Sequence, residues 1–387
     1  VVNNRGLAEK TADAISALKT ASAKRGPDLF SFNGEVSRVI QAETGVTISP
    51  ATQMVMMHHL ARAAYFERRE RSKATRVSPP HDVADDLLSF PEPPDVFPVL
   101  RRIAQVPTFA RDGSLVVSPG YDAATQIYVA PYGFKLPPIP EKPTPAALRA
   151  ALNWIAREMF KDFPLQDRAS IATAFSAMLG PFVRDLIQGP TPLHLFDAPR
   201  GRTGKTLLAR VCAWPGVGKI AARVWTRDEV ENRKRITAML RGGSPVNLLD
   251  NLAGMIDSES LASVLTSDDW KDRPMGASAE IHLLNTAIWI ATANNATFGS
   301  DLIGRTVLAR LDAKMEDPES RTGFLHPDIL GWLAMHRAEA VAACLMMVRA
   351  WIAAGRKPGN ATLGGFENWA AVMSGILEHA GIDGLLG

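Results

Sequence analysis

The stretch that decides the fold is Leu193-His-Leu-Phe-Asp-Ala-Pro-Arg-Gly-Arg-Thr-Gly-Lys-Thr-Leu-Leu-Ala-Arg210. Its apolar beginning predicts a buried strand, and Gly204-Lys205-Thr206 predicts a loop that opens a helix, which is the context of a phosphate loop. In such a loop the backbone N–H groups point at phosphates, the lysine neutralises the β and γ oxygens, and the threonine hydroxyl ligates magnesium. We therefore expect an ATP and Mg²⁺ site formed by the residues Pro199, Arg200, Gly201, Arg202, Thr203, Gly204, Lys205 and Thr206.

The first position of this loop departs from the usual motif. A glycine normally stands where this chain has Pro199, and Gly201 lies inside the loop instead. Such a variant requires a strand exit that tolerates a φ angle near −65°. The alternative interpretation is a chance Gly-Lys-Thr on a surface helix, which the flanking strand and helix disfavour.

A second element of the site is predicted at Asp250. The run Val246-Asn-Leu-Leu-Asp250 is a short apolar strand ending in an acid, as required for a carboxylate that holds magnesium. An ordinary strand end with an Asp–Asn turn is the alternative. Asn251 follows where many such ATPases carry a second carboxylate, so the general base stays unassigned.

Two glutamates are candidates for that base. Glu229 and Glu231 lie between the loop and Asp250 in the chain. Thr226-Arg-Asp-Glu229 also fits a capping box at the start of a helix, and we favour this structural interpretation.

A third element is the apolar strand that runs from Thr286 to Asn294. A polar residue at its end, Asn294 or Asn295, can hold the attacking water against the γ-phosphate, although either residue also fits a turn. Arg305 follows eleven residues after Asn294. Its fixed charge and fork geometry suit it to stabilise a transferring phosphoryl group from a neighbouring subunit, whereas a surface salt bridge is the alternative. The predicted catalytic residues are thus Lys205, Asp250, Asn294 and Arg305.

This order of motifs resembles the superfamily 3 helicases of the AAA+ class, such as polyomavirus large T antigen and the papillomavirus replication helicase. The resemblance is stronger to the helicase portions of phage and mobile-element proteins, often joined to primase-polymerase domains. It includes the phrases Leu249-Asp-Asn-Leu252, Ala293-Asn-Asn-Ala296, Gly364-Gly-Phe-Glu-Asn-Trp369 and Pro119-Gly-Tyr-Asp122. The resemblance implies a homo-hexameric ring with ATP between subunits and single-stranded or forked DNA as partner, and a primase or polymerase as a further partner.

The same resemblance places DNA contacts in a hairpin between Asp250 and Asn294. The segment from Asp268 to Leu284 predicts a helix end followed by a β-hairpin, with Lys271, Arg273 and His282 as DNA-binding candidates. A structural histidine is an equally acceptable interpretation of His282. A second basic cluster consists of Arg68, Arg69, Arg71, Lys73 and Arg76. It could track phosphates, but its interleaved glutamates also fit a solvated helix face.

The predicted fold class is α/β. We expect an α+β accessory domain over residues 1–136, a proline-rich linker over 137–143, an AAA+ P-loop ATPase core over 144–312 and a helical segment over 313–387. In the accessory domain, Asn33-Gly34 predicts a hairpin turn, and Ser49-Pro50 predicts the start of a helix through about Phe66.

Composition sets the broad class. Apolar residues make up 46% of the 387 residues and charged residues 21%, which is ordinary for a globular protein, and the net charge of +3 is too small to indicate a nucleic-acid partner by itself. The two cysteines, Cys212 and Cys344, form no disulfide framework or zinc motif. No apolar run reaches about 20 residues and no signal peptide is recognisable, so we expect a protein of the bacterial or phage-infected cytoplasm without a membrane partner. Because position 1 is Val, a segment of a longer protein is also expected.

These observations predict an ATP-dependent DNA helicase or translocase in the replication of a phage or mobile element. An ATP-switched initiator or helicase loader that does not unwind DNA is the first alternative. A packaging or defence ATPase acting on double-stranded DNA is the second.

Overall fold

The computed structural model describes the chain except residues 3, 44, 71–72, 91–94, 253 and 274–279. The chain divides into two compact units. The first contains Val1–Ala42, Val46–Ile103 and Tyr121–Tyr128, and the second contains Glu43–Gly45, Ala104–Gly120 and Val129–Gly387. The proline-rich segment 137–143 lies inside the second unit. The division into an accessory domain, a linker, an ATPase core and a helical segment stays a prediction.

The first 130 residues combine three helices with short strands. The helices are α1 Leu7–Arg25, α2 Gln53–Ala63 and α3 His81–Ser89. The strands are β1 Phe30–Phe32, β2 Glu35–Ala42, β3 Gly45–Pro50, β4 Phe66–Glu70, β5 Lys73–Val77, β6 Arg102–Ala104, β7 Thr108–Phe109, β8 Leu115–Val116, β9 Gly120–Asp122 and β10 Ile127–Val129. The apolar faces of the three helices share a core with Phe66.

In this region the structure confirms one local prediction and contradicts two. The Asn33-Gly34 hairpin is confirmed: β1 and β2 pair antiparallel, and both turn residues have positive φ angles of 51° and 78°. The helix start at Ser49-Pro50 is wrong, because both residues end β3 and the helix begins after Thr52, whose side chain accepts the N–H of Val55. The helical interpretation of the Arg68 cluster is also wrong, because β4 and β5 pair antiparallel there, and Arg71 of that cluster lies outside the described residues.

The rest of the chain alternates helices and strands and then becomes helical. The helices are α4 Pro145–Trp154, α5 Arg168–Val183, α6 Lys205–Val217, α7 Glu229–Arg241, α8 Glu259–Thr266, α9 Ser300–Ile303, α10 Ile329–Met335, α11 Arg337–Ala353 and α12 Glu367–His379. The strands are β11 Leu193–Ala198, β12 Ala222–Val224, β13 Val246–Leu252, β14 Met255–Ile256, β15 Asp269–Asp272, β16 Ile281–Leu284, β17 Ile288–Asn294, β18 Thr297–Phe298 and β19 Thr306–Arg310. A π-helical turn, Ile155–Phe160, extends α4.

The centre of the second unit is a parallel sheet of five strands in the order β12-β13-β17-β11-β19. Apart from β12 and β13, neighbouring strands of this sheet are not consecutive in the chain, and β17 lies between β13 and β11. The carboxyl ends of parallel strands meet at one edge, and in open α/β sheets ligands bind outside that edge. The predicted α/β class is confirmed, and the order brings the ends of β11, β13 and β17 together.

Side chains of each strand point alternately to the two faces of the sheet, and helices pack against both faces. On β17, Ile288 and Ile290 belong to a core formed with α5, α6, α11 and α12, whereas Trp289 and Ala291 belong to a core formed with α7 and α8. The three central strands, β13, β17 and β11, are largely buried and mainly apolar, as is usual for parallel sheets, whereas the edge strands β12 and β19 are partly exposed. Rigid support from both faces fixes the strand ends that carry the candidate site.

Among the described helices, none has both the length and the apolar character needed to cross a bilayer on its own. Helices α10 and α11 meet these two requirements only as a pair bent by 79°.

Candidate functional site

The loop between β11 and α6 has the backbone of a phosphate-binding turn. Gly204, the residue before the helix, has a φ angle of +90°, a left-handed conformation that glycine adopts without a steric penalty. Arg202, with a φ angle of 58°, makes a second left-handed turn in the loop. The loop therefore delivers the chain to the amino end of a 13-residue helix, where free N–H groups and the helix dipole favour an anion.

Lys205 is the first residue of α6, and its ammonium group is held inside the loop. The residue is only 7% exposed. Its Nζ donates to Asn294 Oδ1 at 2.7 Å, to the carbonyl of Arg200 at 3.2 Å and to Thr203 Oγ1 at 3.3 Å. Burial lowers the pKa of Lys205, and the carboxylates of Asp197 and Asp250 partly oppose that shift. The arrangement keeps a cation at the loop, ready for an anionic ligand.

Asp250 lies directly beside α6. One of its carboxylate oxygens, Oδ1, accepts from Thr206 Oγ1 at 2.8 Å and from Thr292 Oγ1 at 2.7 Å. Thr292 was not predicted as a site residue, because a threonine inside a buried strand has the pattern of an ordinary strand residue. The two hydroxyls fix the orientation of the Asp250 carboxylate.

A β-bulge in β13 explains how both Asp250 and Asn251 reach the site. The register between β13 and β17 shifts between Leu249 and Leu252, and Asn251 has a φ angle of 56°. Asparagine is among the few residues that tolerate this conformation, and bulges re-aim side chains near sites. Thr292 Oγ1 accepts the N–H of Asn251 at 2.9 Å and thereby holds the bulge against β17.

The two asparagines that end β17 have different contacts. Asn294 bridges the site, because its Oδ1 accepts from Lys205 and its Nδ2 donates to Asn251 Oδ1 at 3.1 Å. An ammonium group can only donate, so the bond from Lys205 fixes which way this amide points. Asn295 instead donates to the carbonyl of Pro199 at 3.0 Å and holds the entry of the loop.

An ion pair with a buried carboxylate holds Asn295 in place. Arg310, at the end of β19, donates to Asp197 Oδ2 at 3.2 Å and to Asn295 Oδ1 at 3.3 Å. The Asp197 side chain is 2% exposed, and its other oxygen accepts the N–H of Ala296. The sequence did not reveal this cluster, which joins the ends of β11, β17 and β19. It fixes the position at which Pro199 replaces the usual glycine.

The arginines of the loop are in contact with the segment that follows β19. Arg200 donates to the carbonyl of Glu316 at 2.7 Å, and Arg202 forms an ion pair with Glu319. Beside Gly204 this segment helps to form a pocket with aromatic and apolar walls, which include Phe163, Leu207, Pro318, Phe324, His326 and Ile329. The pocket is next to the loop and suits a flat, partly apolar group.

Arg305 is separated from the other predicted catalytic residues. It precedes β19, and its carbonyl accepts the N–H of Leu193, the first residue of β11. Lys205 lies beyond the carboxyl end of β11, whereas Leu193 is at its amino end. A strand of six residues spans about 20 Å, so Arg305 lies at the opposite edge of the sheet from the loop. The structure therefore does not bring Arg305 to the site of its own chain.

The candidate bases have structural contacts. Glu229 accepts from Ser258 Oγ and from the N–H of Ser260, both at the start of α8. Burial raises the pKa of Glu229, but these hydrogen bonds outweigh burial and the net pKa is lowered. The capping box predicted at Thr226 is wrong in detail, because Asp228 caps α7 by accepting the N–H of Glu231.

The predicted DNA-binding hairpin is present as β15 and β16, although its turn, 274–279, lies outside the described residues. Lys271 and His282 are directly opposite each other in the register of the two strands, and both are exposed. Arg273 follows β15 and is exposed. The inner face is fixed to α7, since Trp270 donates to Thr237 and Asp272 pairs with Arg233.

The oxygen atoms around Thr206 fit a magnesium ion. Magnesium prefers hard oxygen ligands and is usually bound by one or two protein groups together with phosphates and water. Thr206 and Asp250 supply a hydroxyl and a carboxylate that already touch. Within the described part of the chain, no group of three or more His, Cys, Asp or Glu side chains is placed to hold a metal by itself.

Comparisons with known proteins gave structural likenesses only. No protein-family model and no curated protein matches this sequence. Among solved structures, the apo form of the NrS-1 C-terminal region is similar at 12% identity and a TM-score of 0.42, over 94% of this chain and 74% of that one. JCV helicase is similar at 13% identity and a TM-score of 0.26, over 60% of this chain and 66% of that one. At these scores neither likeness assigns an activity to this chain.

The Thr292 hydroxyl provides a test of the site geometry. Thr292→Val keeps the shape of the side chain but leaves the carboxylate of Asp250 and the N–H of Asn251 without this partner. We expect the free energy of unfolding to fall by about 1–3 kcal/mol, the cost of an unsatisfied buried polar group. Thr292→Ser, which keeps the hydroxyl, should lose much less. Urea unfolding measures both variants, and equal stability of Thr292→Val and wild type would contradict this geometry.

Proposed function

We propose that this chain is an ATP-dependent DNA helicase or translocase of superfamily 3 type that acts in the replication of a phage or mobile element. The observation that carries the proposal is the convergence of Lys205, Thr206, Asp250 and Asn294 at the carboxyl edge of a parallel sheet. These four residues come from three separate strand ends, and ATP hydrolysis requires the chemistry that they supply. A chance Gly-Lys-Thr on a surface helix would have no such neighbours.

In this proposal the present contacts of the site are exchanged for contacts with ATP. The ammonium of Lys205 turns from Asn294 Oδ1 to the β and γ oxygens, whose charge favours the protonated form that burial opposes. Thr206 and Asp250 would hold Mg²⁺, which neutralises charge on the phosphate oxygens. The phosphate-contacting loop is residues 199–206, and the pocket beside Gly204 receives the base.

Asn294 is the residue that we assign to the attacking water. Once Lys205 turns to the phosphates, Oδ1 of Asn294 becomes available to accept a hydrogen bond from a water near the γ-phosphate, while its Nδ2 stays bonded to Asn251 Oδ1. Neither asparagine can accept a proton as a carboxylate does. The proposed chemistry therefore relies on positioning and charge stabilisation, which contribute most of the rate enhancement in phosphoryl transfer.

Arg305 is proposed to act in a neighbouring subunit. Arg305 lies at the far edge of the sheet, away from the loop of its own chain, whereas a head-to-tail ring can bring that edge to the loop of the next subunit. A homo-hexamer is the proposed assembly, with ATP at each interface. Lys271, Arg273 and His282 are proposed to contact the single-stranded or forked DNA in the pore, and a primase or polymerase is a further proposed partner in the bacterial or phage-infected cytoplasm.

One observation favours a second function, that of an ATP-switched initiator or loader. Asn251 stands where a second carboxylate would help activate water, and the Glu229 carboxylate is already bound to the start of α8. Slow hydrolysis would suit a protein that assembles on DNA without unwinding it. A forked duplex distinguishes the two functions, since only the helicase displaces a strand.

The first expected outcome concerns Lys205. Lys205→Ala should reduce ATP turnover by about 10²-fold or more, because a positioned charge at the β and γ oxygens is lost. The fold should remain, since the partner amide of Asn294 is exposed and can be solvated. A malachite-green phosphate assay measures turnover, with the exposed Lys142→Ala as the matched control. Undiminished turnover in folded Lys205→Ala protein would overturn the phosphate-loop assignment.

The second expected outcome concerns the neighbouring subunit. Arg305→Ala should bind ATP nearly as wild type does but lose hydrolysis by roughly 10³-fold or more. Mixing Arg305→Ala with Lys205→Ala protein should restore part of the activity, because some interfaces then combine an intact loop with an intact arginine. The assay is steady-state turnover across mixing ratios. Failure to restore activity at every ratio means that Arg305 does not act across an interface.

A further inference from the structure

The hairpin of β4 and β5, Phe66–Glu70 and Lys73–Val77, packs inward at its Phe66 end and is otherwise exposed. In its register Phe66 is opposite Val77, Glu67 is opposite Arg76 and Arg69 is opposite Ala74. Side chains alternate along a strand, so Phe66, which is 1% exposed, marks the inner face. Arg69 and Arg76 are therefore on the outer face, together with Tyr65, which directly precedes β4.

This hairpin concentrates the positive charge of the chain. Between positions 65 and 77 the sequence has five basic residues and only two acidic ones, a net charge of +3. The whole chain has the same formal net charge of +3, so all the other residues together are neutral. Along the described part of the hairpin nearly every side chain after Phe66 is exposed. A local positive field of this kind attracts a polyanion.

Tyr65 adds an aromatic surface to the charge. The residue is 65% exposed, which is unusual for a large aromatic side chain. The guanidinium of Arg76 lies 3.9 Å from the centre of its ring. A base can stack on a tyrosine ring or on the plane of an arginine, whereas a phosphate binds the same arginine through its N–H groups. The tyrosine ring and the arginine cations together match the alternation of bases and phosphates along single-stranded nucleic acid.

The outer face is also held in a fixed shape. The side-chain amide of Asn4 makes two hydrogen bonds to the backbone of Arg69. Its Nδ2 donates to the carbonyl at 2.6 Å, and its Oδ1 accepts the N–H at 3.3 Å. Val2 forms a parallel bridge with Glu67. The ion pair between Arg69 and Glu67, at 3.8 Å, is exposed and weak, so a phosphate can replace it. A preformed surface loses less entropy when it binds a ligand.

We propose that this outer face, formed by Tyr65, Arg69 and Arg76, is a binding site for single-stranded DNA, separate from the hairpin of Lys271 and His282. Stacking on Tyr65 requires an unpaired base, which a duplex does not offer. An anionic membrane or an acidic protein would use the charge but not the stacking. The site requires no nucleotide hydrolysis, so it can fail or hold independently of the proposed ATPase function.

The experiment measures binding of the full chain to fluorescein-labelled oligothymidylate by fluorescence anisotropy, without ATP, across a range of salt concentrations. Arg69→Gln combined with Arg76→Gln removes two phosphate contacts. Log affinity decreases with log salt, and this decrease should become shallower by about 1.4 in slope, because each contact with single-stranded DNA contributes about 0.7. The control is Lys19→Gln combined with Lys24→Gln on α1, two exposed cations whose removal changes the net charge equally. The control should keep the wild-type slope.

Tyr65 variants separate stacking from charge. Tyr65→Ala should weaken binding roughly fivefold or more at every salt concentration, with an unchanged slope, because no cation is lost. Tyr65→Phe keeps the ring and should bind like wild type, which also guards against a loss of folding. Equal binding by Tyr65→Ala and Tyr65→Phe would overturn the stacking site.

Three further results would overturn the proposal as a whole. The first is a salt slope that changes equally in the Arg69 and Arg76 variant and in the α1 control, which would show that only overall charge matters. The second is binding of the chain to vesicles containing phosphatidylserine, with the same loss in the Arg69 and Arg76 variant, in the absence of any binding to oligothymidylate. The third is loss of oligothymidylate binding only in Lys271→Ala with His282→Ala, which would assign the DNA to the other hairpin.

Discussion

The hydrogen bond between the buried ammonium of Lys205 and Asn294 Oδ1 is the interaction on which the rest of the site depends. A cation that is almost entirely removed from water must be compensated, and here one side-chain amide, one hydroxyl and one carbonyl provide the compensation. Burial still lowers the pKa of this lysine. A triphosphate would compensate the cation far better than an amide, which gives the loop its preference for an anion.

Sheet topology makes this contact possible. If β11 and β13 were adjacent, no strand end would lie between the loop of Lys205 and Asp250. Because β17 lies between them, its last residue, Asn294, faces the loop, and two residues earlier Thr292 binds Asp250 and the bulge at Asn251. Beyond β11, Arg310 on β19 secures Asp197 and Asn295. Four of the five strands, β13, β17, β11 and β19, thus contribute polar contacts at the same edge.

Local patterns predicted the parts of the site that one chain segment determines. The loop at Lys205, the acid at the end of an apolar run and the polar end of β17 all follow from the order of residue types within about ten positions. Contacts between distant segments could not be predicted: Thr292 and Asp250 are 42 residues apart, and Arg310 and Asp197 are 113 apart. The Arg68 cluster was misassigned because mixed Glu and Arg residues suit an exposed helix as well as an exposed hairpin. Only pairing with β5 and the backbone contacts of Asn4 and Val2 decide for the strand.

The most direct test of this account is a crystal structure of the full chain with Mg²⁺ and a non-hydrolysable ATP analogue. The account predicts phosphates in the loop of residues 199–206, the Lys205 ammonium on the β and γ oxygens instead of on Asn294, and Mg²⁺ beside Thr206 and Asp250. The Asn295 contact to Pro199 should persist, because it holds the loop rather than the ligand. A nucleotide bound elsewhere, or one that leaves the bonds of Lys205 to Asn294 and of Thr206 to Asp250 unchanged, would contradict the central claim.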